Sequence, residues 1–241
     1  MSVVRKILYP VFFAVLAGIF AFMSVVDIIS LIRKYVDLAN WLKTASESEV
    51  DVLRLVLDGF ADLLLVTSYI TLGIFALVAL LKSLYKIKDE KEQHANLSKY
   101  IMLFGIFELL VVSYSLAVTI YYNPGAPIAG MYYQLVVLYV TMIVSAILSL
   151  ALKNEITKYV LAIVASLMLT VTPIIAFAYL GSMLAWSGIL YNLALLIAAG
   201  CGVFISVSTF IILGLNKKHE KAEEKTAEET KEEPKEAEEA E

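Results

Sequence analysis

Cysteine and histidine are nearly absent: the 241 residues include one Cys and two His. Cys201 alone can form neither an intramolecular disulfide nor a metal cluster. Between Gly200 and Gly202 it reads as a small packing residue. His94 and His219 both lie in polar segments, so haem ligation, zinc-protease chemistry and a membrane Ser–His pair lack their parts. Charge is scarce too, at 17% against roughly 25% in soluble domains. From Tyr159 to Asn216 there is no Asp, Glu, Lys, Arg or His. No basic patch with interleaved aromatics is present, which excludes a nucleic-acid surface. These absences leave no catalytic residue, no metal site and no cofactor to expect.

What is present is apolar sequence, 60% of the chain, in runs long enough to cross a bilayer, which takes about 20 residues. Six crossings are expected, at about 7–32, 50–82, 100–122, 131–152, 159–180 and 190–215. The fold class is therefore an all-α integral membrane protein, a six-helix bundle over residues 1–216. Met1 to Lys6 is a short basic lead, but the run after it is too long for a cleaved signal peptide and no A-x-A site closes it. It reads as a retained first helix, with Pro10 near its start, a small-residue stripe (Ala14, Ala17, Ala21, Ser24) and Asp27 reaching toward the far interface. Leu31 to Lys43 is too polar to span; with Trp41 it reads as an amphipathic helix lying on the membrane surface. Ser46 and Glu49 form an S-x-x-E capping box ahead of the second helix. A lysine-rich polar loop follows Lys82, a Pro/Gly connection joins the third and fourth helices, and Pro173 marks a kink in the fifth.

The tail, residues 217–241, holds eleven Glu and six Lys, a net of −5 that leaves +1 for the rest of a chain whose overall charge is −4. It lacks the apolar content to fold alone and is expected to be disordered or transiently helical. Lys and Arg divide fifteen to four between the two sides of a six-crossing topology. By the positive-inside rule, both termini are cytoplasmic in a multi-pass protein of the cell membrane. Lys99-Tyr100 recurs as Lys158-Tyr159, and Tyr133-Gln134-Leu135 as Tyr191-Asn192-Leu193, offsets of 59 and 58. Either the two hairpins are copies or interfacial anchors recur for their own reasons.

The second helix carries Asp51, Arg54, Asp58 and Asp62, followed by Tyr69, Gly73 and Ala76 on one face at 3–4 spacing. A membrane helix must aim such a stripe at protein, water or headgroups. Asp58 and Asp62, one turn apart, repel unless a cation, a proton or a base intervenes. One reading is an Arg54–Asp58 pair with Asp62 accepting bonds from hydroxyls; the other is a cation or solute vestibule. Glu108 is the only charged residue well inside an uninterrupted apolar run. With Tyr100 at the inner surface it lies roughly 12 Å deep at 1.5 Å per residue. Burying a carboxylate there costs about 2.5–3.5 kcal/mol on insertion scales. Functional and structural readings of Glu108 are both open. Neutral stripes on the last three helices (Gln134, Thr141, Ser145; Ser166, Thr170, Pro173; Asn192, Ser206, Thr209) suit helix packing with interhelical hydrogen bonds.

LDGFAD, residues 57–62, has the Asp-Gly start of the CDP-alcohol phosphotransferase motif. Asp62 stands where that motif has arginine, and the later Gly and paired Asp are missing, so the resemblance fails. Three functional readings remain. The first is a non-enzymatic, small transporter-like or membrane-complex subunit with a polar site near Asp62 or Glu108. The second is a membrane scaffold acting through its acidic cytoplasmic tail. The third is the substrate-binding membrane subunit of an energy-coupling importer, similar in outline only. The partners these imply are the lipid bilayer, other membrane subunits, or a cytoplasmic partner of the tail.

Overall fold

The computed structural model describes residues 2–45, 51–85, 90–180 and 185–236, in which the chain is entirely helical apart from short connections. Its helices are α1 (Ser2–Leu42), α2 (Val52–Tyr85), α3 (Glu90–Tyr122), α4 (Pro127–Ala151), α5 (Glu155–Leu180) and α6 (Trp186–Glu236). All six contain a stretch long and apolar enough to cross a membrane. Many large apolar side chains face outward, Val137, Ile197 and Leu63 among them, as expected where lipid replaces water as the solvent. Together these features point to a multi-pass membrane protein.

Each helix packs on the next, and α6 returns to α1 to close the ring, while α3 also touches α5 and α6. Pairings fix alternating directions. Phe20 meets Gly73 and Lys34 meets Asp62 across α1 and α2; Ser98 meets Ser149 and Gly105 meets Ile143 across α3 and α4. One end of the bundle therefore holds the α1–α2, α3–α4 and α5–α6 connections (the hairpin end), and the other the α2–α3 and α4–α5 connections (the terminal end). Both tryptophans lie at the hairpin end and are exposed, Trp41 by 43% and Trp186 by 81%. The core is a column of aromatic side chains from α1 and α3: Phe12, Phe13 and Tyr100 meet edge to face at 5.0–6.1 Å.

Several helices begin or end elsewhere than the apolar pattern alone implies. The segment 31–43 is not a separate helix: α1 runs unbroken through it for 41 residues, about 61 Å at 1.5 Å per residue. No Gly or Pro interrupts it after Gly18, and extending a helix costs less than ending one and starting another. Pro10 accordingly sits past the second turn, where its ring removes one backbone bond, rather than at the start. The Ser46–Glu49 box lies outside the described residues. The cap the structure gives α2 is Asp51, whose Oδ1 accepts the Arg54 N–H at 3.0 Å. The polar loop after Lys82 is mostly helix: α2 continues to Tyr85 and α3 begins at Glu90. Its first turns bury Gln93, His94 and Ser98, and the Asn96 amide donates to the Tyr9 hydroxyl at 3.3 Å. Pro127 opens α4 as its first residue, and Asn154 caps α5 by accepting the Ile156 N–H at 3.1 Å. Beyond Ile212, α6 continues as one helix to Glu236.

The neutral stripes are satisfied mainly within their own helices. Thr141, Thr170 and Thr209 each donate to the carbonyl four residues earlier. Interhelical bonds join Ser166 to Ser206 at 3.2 Å and Gln134 Nε2 to the Tyr179 hydroxyl at 2.7 Å.

Candidate functional site

The acidic stripe of α2 faces α1. Lys34 Nζ donates to Asp62 Oδ2 at 2.5 Å, so the partner of Asp62 is an ammonium rather than the hydroxyls expected for it. Lys34 reaches Asp62 because α1 continues unbroken through the segment that the sequence pattern set apart. The Arg54–Asp58 pair forms, but loosely, at 3.9 Å with both side chains well exposed. Arg54 also lies over the Tyr122 ring, 5.5 Å from its centroid. The two carboxylates one turn apart thus face two different cations, which removes the repulsion that made them look like a cation site. A cavity of about 510 Å³ opens between the ends of α1 and α2, lined by Lys34, Tyr35, Asp37, Trp41, Arg54 and Asp58 among others.

Glu108 lies deep in the bundle with 7% of its surface exposed. It is the nineteenth residue of α3, near the helix midpoint, because α3 starts ten residues before Tyr100. The Tyr191 hydroxyl of α6 donates to Glu108 Oε1 at 3.0 Å. Tyr139 of α4 also interacts with the carboxylate, and Thr172 of α5 with Tyr139. Tyr191 packs on Tyr69 of α2 at 5.5 Å and on Phe20 of α1 at 6.1 Å between ring centroids. All six helices thus contribute to one cluster: a single carboxylate inside a shell of phenols and phenyl rings. Among the described residues no basic side chain pairs with Glu108.

Asp58 and Asp62 do not touch Glu108, and Arg54 stays at the rim. What lies between them is Asp27, a residue that the sequence assigned to the interface. Phe20, Asp27 and Lys34 are spaced by seven on α1, as Asp62, Tyr69 and Ala76 are on α2. Seven residues return nearly two full turns, so both sets share one seam. Asp27 is half-buried, interacts electrostatically with Asp62 on one side and Tyr69 on the other, and its Oδ2 has no hydrogen-bond partner. The tyrosines were the missed signal. Tyr69 and Tyr139 stand in the middle of apolar runs, away from the interfacial belt where membrane tyrosines collect.

No cluster of His, Cys, Asp and Glu suited to a metal ion occurs among the described residues. What the arrangement can do chemically is hold one buried carboxylate beside hydroxyl groups able to donate to it or pass a proton. Comparison with protein-family models, with characterised proteins and with solved structures finds no match to the chain. The fold and site define a class, a six-helix polytopic membrane protein with a buried acidic centre, and any finer reading rests on that centre.

Proposed function

We infer that the chain is a non-enzymatic membrane protein of transporter type, inserted in the cell membrane with both termini cytoplasmic. Its working site is the Glu108 carboxylate and the tyrosines around it. One observation carries this reading: a carboxylate at mid-helix, almost fully buried, whose hydrogen-bond donor is a neutral phenol from another helix. Stability alone is served better by an apolar residue there, since a buried unpaired carboxylate is costly and is a functional-site hypothesis by default. The single carboxylate with hydroxyl neighbours suits reversible binding of one ion or one hydrogen-bonding solute, charge being exchanged without any covalent step. The loose, exposed Arg54–Asp58 pair and the Lys34–Asp62 pair then flank the approach from the hairpin end.

The test is flux in proteoliposomes, followed with internal pH- and sodium-sensitive dyes and with labelled amino acids and sugars. Glu108→Gln keeps the shape and removes the charge. It should abolish whichever flux the wild-type protein carries while its elution as a monodisperse species is retained. Flux unchanged by Glu108→Gln, or a wild-type protein that moves nothing in the panel, would count against the reading.

A further inference from the structure

We propose that Asp27 is the intermediate station of a proton path running along the α1–α2 seam from the hairpin end of the bundle to Glu108. The proposal rests on Glu108 being the working site and adds which ion reaches it and by which route. Four observations carry it. Asp27 Oδ2 is buried and unbonded, an acceptor with nothing to accept from. A native structure rarely leaves a carboxylate oxygen in that state without a use for it. The seven-residue spacing sets Asp27 between the Lys34–Asp62 pair and the Phe20–Tyr69 contact, which is 5.7 Å between ring centroids. Tyr69 lies within electrostatic reach of both Asp27 and Glu108, and its ring packs on that of Tyr191, 5.5 Å between centroids. Tyr191 completes the chain by donating to Glu108 at 3.0 Å.

The chemistry around Glu108 selects the proton. A hard metal cation takes six or more oxygen ligands, mostly carboxylates, carbonyls and waters. Here one carboxylate faces neutral hydroxyls: Tyr69 from α2, Tyr139 from α4, Thr172 through Tyr139 from α5, and Tyr191 from α6. Tyr100 lies on the same helix, and α1 offers the cluster only Phe20. Around Asp27 the titratable groups are Asp62 and Tyr69 from α2. Lys34, further along α1, is held by Asp62, and α6 carries no charged residue between Trp186 and Ile212.

The transfer balances with one proton. Asp27 takes a proton from water and passes it, through a bridging water, to the Tyr69 oxygen as Tyr69 gives its own to Tyr191. Tyr191 in turn gives its hydroxyl proton to Glu108 Oε1. Both phenols end neutral, Asp27 is again a carboxylate, and Glu108 is protonated.

The experiment uses the full chain in phosphatidylethanolamine–phosphatidylglycerol vesicles with an internal pH dye, under a valinomycin-imposed, inside-negative potassium potential. Wild-type vesicles should acidify faster than protein-free ones. Asp27→Asn and Tyr69→Phe should both fall to the protein-free rate, and Asp27→Glu should recover part of the loss. Wild-type vesicles no faster than protein-free ones would overturn the path. So would well-folded Asp27→Asn running at the wild-type rate, and if Asp27→Asn fails to fold, Tyr69→Phe decides in the same way. Where Glu108→Gln abolishes flux but Asp27→Asn leaves it intact, the working site stands and the path falls. Where Glu108→Gln leaves every flux unchanged, the site itself is wrong.

Discussion

Lys34 and Asp62 show how much a single side chain's meaning depends on which partner reaches it. Isolated on α2, Asp62 is an acid without a base; across the seam it has a direct ion pair. With 48% and 29% of the two side chains exposed, solvent screens the pair, and its coupling energy is expected at about 0.2–1 kcal/mol. A double-mutant cycle of Lys34→Met and Asp62→Asn, followed by thermal unfolding in detergent, measures it. Zero coupling would show that the two charges act independently. The tyrosines around Glu108 were hidden for the opposite reason. Residue type announced a charged residue at 108, but nothing in the local sequence says that Tyr191, 83 positions away, donates to it.

At the scale of the element, α4 side chains close directly over Gly105 of α3. A Cβ at Gly105 would stand 2.8 Å from both Met142 Cε and Ile143 Cγ1. Gly105→Leu should therefore overpack that contact and cost about 1–3 kcal/mol, seen as a lowered unfolding temperature. Gly200→Ala is the control: a Cβ there meets nothing within 4 Å, so it should leave the midpoint unchanged or slightly raised. The existence and order of the six helices were legible because long uncharged runs have no other stable use. Their ends were not. Hydropathy marks where a helix becomes polar, whereas the backbone stops where a turn signal or a cap stops it. In 83–99 polar residues suggested a loop, yet Glu90 onward is helix because His94 and Ser98 are buried against α4 and α5. The site was legible by halves: Glu108, Asp62 and Arg54 as chemistry, but not Asp27, whose role depends on the α1–α2 register.

For the whole molecule, the alternating helix directions set a sidedness, and the proposed orientation, with the terminal end cytoplasmic, is testable by labelling. In a cysteine-free background (Cys201→Ala), a thiol at the exposed Asn123 should react with an impermeant maleimide added to intact cells. One at the exposed Lys153 should react only after the membrane is opened. The reverse pattern would invert the bundle and with it the side from which protons approach Asp27. The length of α1 gives the same hairpin end unusual reach. At about 61 Å it is roughly twice the hydrocarbon thickness of a bilayer, so its last turns and the start of α2 extend past the level of Asp27.

The placement of the two tryptophans has an optical consequence. The protein has no other indoles, and Trp41 and Trp186 sit at the same end, at the last turn of α1 and the first of α6. Emission excited at the red edge therefore reports that end alone, with the terminal end dark. Quenching by lipids brominated at graded acyl depths would read how far the hairpin end stands from the bilayer centre. The native chain serves as its own ruler, with no label attached.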